Sequence, residues 1–210
     1  MKIGVVTFPG SNCDRDCVHF FSQELGLKTQ LHWYQDLNLK GYDLVILPGG
    51  FSYGDYLRSG AIAAVAPILN EIKKFSGWVL GICNGFQILT EAKILPGALT
   101  HNSCHHFLCQ SVEIEAQKSG SPWMTEELNG HRYRFPIAHA DGRFVAAPEI
   151  LKSIEGEGQV AWRYTQDING SMNRIAGLAK GRVLGMMPHP ERHPDGQLWL
   201  KHWLDHGAQK

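Results

Sequence analysis

Gly81-Ile82-Cys83-Asn84-Gly85 carries the strongest chemical signal in the sequence. The segment stands where an apolar run, Trp78 to Ile82, meets a helical pattern, Asn84 to Ala92. A thiol on such a strand-to-helix turn is held in a strained backbone conformation, and glycines on either side leave room for the chain to fold back. The free N–H groups and dipole of the following helix favour a thiolate at that position. The chemistry on offer is nucleophilic acyl transfer. A buried cysteine between turn-shaping glycines is the plainer alternative.

An acyl-transfer nucleophile needs a base, and the base needs a group to orient it. Pro188-His189-Pro190-Glu191 follows the apolar run Val183 to Met187. Its two prolines disfavour helix and keep the segment stiff and extended. His189 then falls at the carboxyl end of a strand, the edge where open α/β sheets place ligands and where Cys83 also falls. Glu191, two residues on, is close enough to bond the imidazole and fix its tautomer. Taken singly, this segment reads as a surface loop with an ion pair; taken with Cys83, it reads as base and orienter. Pro48-Gly49-Gly50-Phe51 ends another apolar run. Uncrowded backbone N–H groups there suit an oxyanion, and Gly50 N–H with Asn84 N–H is the natural pair, each donor supplying roughly 3 kcal/mol of transition-state stabilisation.

These residues need a scaffold that brings strand ends together. Lys2 to Phe8, Thr29 to Tyr34, Leu44 to Leu47 and Trp78 to Ile82 read as strands, the last two as runs buried on both faces. Asp14 to Leu25, Ala61 to Phe75 and Asn84 to Ala92 read as helices between them. This alternation predicts one doubly wound, mostly parallel α/β domain over residues 1–210. The second half is β-rich: Val112 to Ala116, Arg134 to His139, Val160 to Tyr164 and a hairpin of Ile175 to Ala179 with Arg182 to Met187, turning at Lys180-Gly181. No helices of comparable length separate these strands, and a helix from Gln197 to His206 closes the chain.

Composition narrows the field. Hydrophobic residues make up 43%, enough for a sizeable core, and 20 Lys+Arg balance 20 Asp+Glu. Net charge therefore argues for neither a nucleic-acid nor a membrane partner. The longest apolar run, Ala61 to Leu69, is too short to span a bilayer and holds a proline. Five cysteines, an odd count without a secretion signal, do not look like a disulfide framework, so a cytoplasmic protein is expected. Cys13 and Cys17 have nothing nearby to complete a metal set. Cys104-His105-His106 with Cys109 lacks the paired spacing of structural zinc sites, so no metal is expected.

Together, the Cys83 turn, Gly49-Gly50 and His189-x-Glu191 resemble the class I glutamine amidotransferases. Leu47 to Gly60, Leu80 to Leu89 and Leu184 to Arg192 narrow this, as do Phe8 to Asp14 and Val160 to Tyr164. They resemble the glutaminase subunits of the synthases that make formylglycinamidine ribonucleotide in purine biosynthesis. The resemblance covers Met1 to Arg192. It implies that Cys83 is the nucleophile, that His189 is general base and acid, and that Glu191 orients it while glutamine passes through a thioester. His139 to Gly142 is similar to a family segment that contacts glutamine. Gln87, one helical turn beyond Cys83 on the same face, is placed to hold the amino-acid end of the substrate. The chain departs from the family at His106 to Gln110, where two basic residues expected around Phe107-x-Cys109 are missing.

No Gly-x-x-x-x-Gly-Lys phosphate loop is present, so no cofactor is expected in this chain. The resemblance implies that ATP and Mg belong on a partner, a large synthetase subunit that takes formylglycinamide ribonucleotide; a small accessory subunit is a further candidate. Tyr53, Asp55, Tyr56 and Arg58, beside the expected site, suit partner contacts. Two other readings stay open: another cysteine hydrolase on the same fold, and a regulatory subunit that kept the fold without activity.

Overall fold

The computed structural model describes residues 1–209. The first half alternates as its hydrophobic periodicity demands. In chain order it runs β1 (Lys2–Thr7), α1 (Asp14–His19), β2 (Lys28–Trp33), β3 (Leu44–Leu47), α2 (Ala61–Ala64), α3 (Ile68–Lys74), β4 (Trp78–Ile82) and α4 (Asn84–Glu91). The second half continues with β5 (Ala98–Thr100), β6 (Leu108–Ala116), β7 (Arg132–His139), β8 (Arg143–Val145), α5 (Pro148–Gly156), β9 (Val160–Tyr164), β10 (Ile175–Lys180), β11 (Val183–Met186) and α6 (Pro194–His206).

Nine of these strands form one sheet in the order β2-β1-β3-β4-β11-β10-β9-β6-β7, and β5 pairs with β8 apart from it. The five strands from β2 to β11 run parallel to their neighbours. The other four pairings, from β11 to β7, are antiparallel. The sheet is therefore mixed rather than mostly parallel. The physical reason lies in the connections: parallel neighbours need a long crossover, whereas the hairpin between β10 and β11 forces them antiparallel. That hairpin turns at Gly181-Arg182, one residue later than expected, because Lys180 still pairs with Val183. Strands β3 and β4 are buried along their whole length, which explains their unbroken apolar runs.

Three helices differ from the periodicity. The segment from Ala61 to Phe75 is split into α2 and α3 around Pro67, whose ring and missing N–H interrupt a continuing helix. The helix from Asp14 loosens into a π-helical turn over Phe20–Glu24. Helix α5 was not expected between the second-half strands; it opens with Pro148 in its first turn. Helix α6 is fixed by aromatic packing: Trp203 stacks on Trp123 at 4.1 Å between centroids and meets Trp78 edge-on at 5.0 Å. Its first turn is tied to β7 by Arg134 N–H donating to Asp195 Oδ2 at 2.7 Å. This anchors the segment that carries His189 and Glu191.

Candidate active site

Cys83 joins β4 to α4 with φ 51° and ψ −104°, a conformation that costs a non-glycine residue of order 1–3 kcal/mol. Its backbone N–H is held by the Met186 carbonyl at 2.8 Å, so β11 fixes the turn from its neighbouring strand. Gly85 is required by close approach: a Cβ there would sit 2.0 Å from the Leu47 carbonyl oxygen of β3. The turn is thus clamped between β3 and β11, and the thiol stands at the carboxyl end of the parallel strands.

His189 follows β11 and reaches the same edge. Its backbone N–H bonds the Pro136 carbonyl of β7 at 2.9 Å. Its Nδ1 lies 2.6 Å from Glu191 Oε1, with both side chains almost wholly buried. The opposite nitrogen, Nε2, has no hydrogen bond of good geometry. Cys83 acts on the ring both as a charge and as a hydrogen-bonding group, but its Sγ faces the Ala138 carbonyl at 3.8 Å. Thiol and imidazole are neighbours short of full alignment, as is common before substrate binds. Burial opposes the imidazolium, yet the charges of Glu191 and Cys83 and the hydrogen bonds to both outweigh it, raising His189 to about 10.

Gly49 packs against this ring: a Cβ on it would lie 2.7 Å from His189 Cε1. Gly50 and Cys83 line one small cavity of about 100 Å³ together with His189, Ala138, Phe107 and Arg192. Asn12, Cys13 and Phe51 complete the wall.

The two residues expected to bind substrate occupy different surroundings. Gln87 is buried and already engaged: its Oε1 accepts from Asn84 Nδ2 at 2.9 Å, and its Nε2 donates to the Asp141 carbonyl at 2.7 Å. It is not among the residues lining the cavity, and here it splints α4 to the turn between β7 and β8. His139 is also buried. Asn102 fixes its tautomer, because the Asn102 amide group donates to the His106 and His139 carbonyls and leaves Oδ1 as acceptor. His139 Nδ1–H therefore donates to that oxygen at 3.1 Å, and Nε2 is an acceptor without a partner. Burial, then the nearby His189 charge, pushes His139 down to about 4 and keeps it neutral.

Cys13 and Arg192 were missed as parts of the cavity. Arg192 Nη2 donates to Cys13 Sγ at 3.1 Å and is braced by Asp16 at 2.7 Å. Burial pushes the Cys13 thiol up to about 12 against the pull of Arg192, so this second sulfur stays protonated. The run Ser11-Asn12-Cys13 after β1 was the available signal, but it carries no local chemistry until the fold closes.

A parallel-sheet edge carrying a strained cysteine, a buried histidine–carboxylate pair and a glycine loop defines a class of cysteine-dependent amide hydrolases. The comparisons with known proteins give the family. The CobB/CobQ-like glutamine amidotransferase domain matches residues 1–210, and the chain belongs to that family. It is 50% identical over 204 residues to phosphoribosylformylglycinamidine synthase subunit PurQ of a Nostoc species, covering 94% of this chain and 91% of the relative. The protein of that name from Synechococcus elongatus is 49% identical over 197 residues, 91% of this chain and 89% of the relative. Among solved structures, a chain of PurLQS from Thermotoga maritima superposes with a TM-score of 0.86 at 40% identity, covering 97% of both chains. A glutamine amidotransferase from Thermotoga maritima shares the fold: it is 18% identical with a TM-score of 0.58, covering 98% of this chain and 83% of that one.

Proposed function

We propose that this chain is the glutaminase subunit of a phosphoribosylformylglycinamidine synthase of purine biosynthesis. It hydrolyses the side-chain amide of glutamine and passes the ammonia to a synthetase subunit. The partner uses ATP and Mg to convert formylglycinamide ribonucleotide into formylglycinamidine ribonucleotide. The observation that carries this reading is the buried Glu191–His189 pair standing against Cys83 on its strained turn. A cytoplasmic complex is part of the reading; no described helix is long and apolar enough to cross a membrane.

The raised His189 pKa favours a resting imidazolium beside Cys83. Cys83 thiolate attacks the amide carbon, and the oxyanion that forms is stabilised by the Gly50 and Asn84 N–H groups. His189 gives its proton to the leaving nitrogen, releasing ammonia and leaving a glutamyl thioester. Now neutral, His189 takes a proton from water, and the hydroxide attacks the thioester. Glutamate leaves, and the thiolate–imidazolium pair is restored. Glu191 keeps the imidazole in one tautomer and stabilises its charged form throughout. Ammonia in bulk water is protonated and lost as a nucleophile, so a shielded path to the partner is part of the reading.

Gln87 and His139 stand behind the cavity wall. In this reading Gln87 holds helix α4 to the β7–β8 turn and His139 is fixed by Asn102, so both shape the site from outside the cavity lining. The test is glutamine-dependent and ammonia-dependent synthesis by the chain with its synthetase partner. Glutamine-dependent synthesis that requires Cys83, beside ammonia-dependent synthesis that does not, is the expected result. Loss of both on Cys83→Ala would overturn the reading.

A further inference from the structure

The segment between Ser52 and Gly60 lies along the helix that follows the nucleophile. Ser52 N–H donates to Asn84 Oδ1 at 3.3 Å, at the first residue of α4. Gly60 packs on the helix backbone, where a Cβ would meet Ile88 N at 2.8 Å. Arg58 makes two bonds to Glu91 at the far end, at 3.1 and 2.7 Å. The inner face of this strap is therefore seated on α4. Its outer tip exposes Tyr56 and Leu57, at 87% and 76% of their surface.

In the middle of the strap, one hydroxyl stands between two carboxyl groups. Ser59 Oγ is 2.9 Å from Asp141 Oδ2 and 3.1 Å from Asp55 Oδ2. A serine hydroxyl has a single proton to donate, and an ionised carboxylate has none. Both contacts are hydrogen bonds only if one carboxyl keeps its own proton. Asp141 also meets His101 through its other oxygen. Ser59 stands closer to Asp141 than to Asp55, so the arrangement that satisfies both contacts has Asp55 donating to Ser59 and Ser59 donating to Asp141. Burial raises the Asp55 pKa, against the lowering effect of its hydrogen bonds and with a smaller push from Asp141, the charged group that acts on it. Arg58 is engaged with Glu91, leaving the pair without a cation from the strap.

Asp141 is the residue whose carbonyl receives Gln87, and Gln87 in turn holds Asn84 beside Cys83. We infer that Asp55, Ser59 and Asp141 form a proton-sharing tether that positions the nucleophile helix and ties it to the strap. These are positioning residues. The inference rests on the glutaminase reading and adds a control: when Asp55 loses its proton, the link becomes two carboxylates facing one hydroxyl, and the strap loosens. The sign is fixed. The tether is intact at low pH and is lost as pH rises through the Asp55 pKa, which burial raises from its ordinary value.

The experiment follows the pH dependence of glutamate release by the chain in complex with its synthetase partner, beside ammonia-dependent synthesis. Asp55→Asn replaces the carboxyl proton with an amide N–H that does not titrate. It is expected to raise activity relative to wild type at pH values above the Asp55 pKa and to flatten the profile there. Ser59→Ala is expected to lower glutamine-dependent activity by about tenfold while leaving ammonia-dependent synthesis intact. An Asp55→Asn profile superimposable on wild type, or a fully active Ser59→Ala, overturns the tether. Should Ser59→Ala fail to fold, carboxyl carbon NMR of the isolated chain still decides. A titration assigned to Asp55 above the ordinary aspartate value supports the tether, and one at or below that value overturns it. If the wild-type complex uses ammonia and not glutamine, the glutaminase reading fails, while the NMR titration still judges the tether independently.

Discussion

The turn at Cys83 and the strap from Ser52 to Gly60 both carry non-glycine residues at positive φ: Cys83 in the first, Tyr53 and Asp55 in the second. They are held in different ways. The Cys83 turn is fixed by backbone packing, with Gly85 against the Leu47 carbonyl and the Cys83 N–H on Met186. The strap is seated on α4 at Gly60 but is otherwise tied by hydrogen bonds that use the side chains of Asn84, Arg58 and Ser59, and its tip faces solvent. Backbone packing resists any change that a reaction cycle would impose, so it suits a group that must stay aimed. Side-chain bonds can be exchanged at modest cost, about 1 kcal/mol each, so they suit an element that responds to pH or to a partner. Rigid and exchangeable parts meet at Asn84 and Gln87.

Substitutions at each part break this contrast by different amounts. Cys83→Ala has the largest expected effect: glutamine-dependent synthesis falls by roughly four orders of magnitude or more, with ammonia-dependent synthesis by the complex unchanged. Glu191→Gln removes the charge that holds His189 and is expected to cost roughly 10²- to 10⁴-fold in kcat, measured as initial rates with saturating glutamine. The same variant has a pH signature. His189 is raised from 6.5 to about 10, so its contribution to stability is complete below the lower value and is lost as pH rises to the upper one. Urea unfolding of the wild type should show that loss across this window, and Glu191→Gln should flatten it.

Gly85→Ala drives a methyl group into the Leu47 carbonyl and is expected to destabilise the chain by about 3 kcal/mol, read from the shift of the unfolding midpoint. Gln87→Ala unlinks the rigid turn from the strap. It removes the partner of the Asp141 carbonyl and one of the partners of the Asn84 amide at a cost of about 1–3 kcal/mol, and glutamine-dependent kcat/KM falls beside it. Tyr56→Ala at the exposed tip is the smallest change, within about 0.5 kcal/mol of wild-type stability. Its effect is expected in the Kd for the synthetase partner, measured by titration calorimetry. A rigid strap would reverse this ranking, with the tip costing stability and Gln87 costing none.

Of the four strap residues expected to meet a partner, the fold keeps Tyr56 outward and turns Asp55 inward toward Ser59, while Arg58 pairs with Glu91. The reason is the close seat of Gly60 on α4, which no property of the strap's own residues announces. Helix α5 escaped notice for a related reason: its apolar positions are few, and only Ile154 is fully buried in it.

What the residues determined alone was local. The buried runs at Leu44–Leu47 and Trp78–Ile82, the turn at Cys83 and the histidine–carboxylate spacing at 189 and 191 all follow from side chains within a few positions of one another. Tertiary structure decided the rest. It placed Cys13 and Arg192 in the cavity wall, let Asn102 choose the tautomer of His139, and brought Ser59 to Asp141, 82 positions away. Hydrophobic periodicity and turn chemistry act over one or two turns of chain. Which strand ends meet depends on the order of the whole sheet, and that order is set by the burial of all nine strands together.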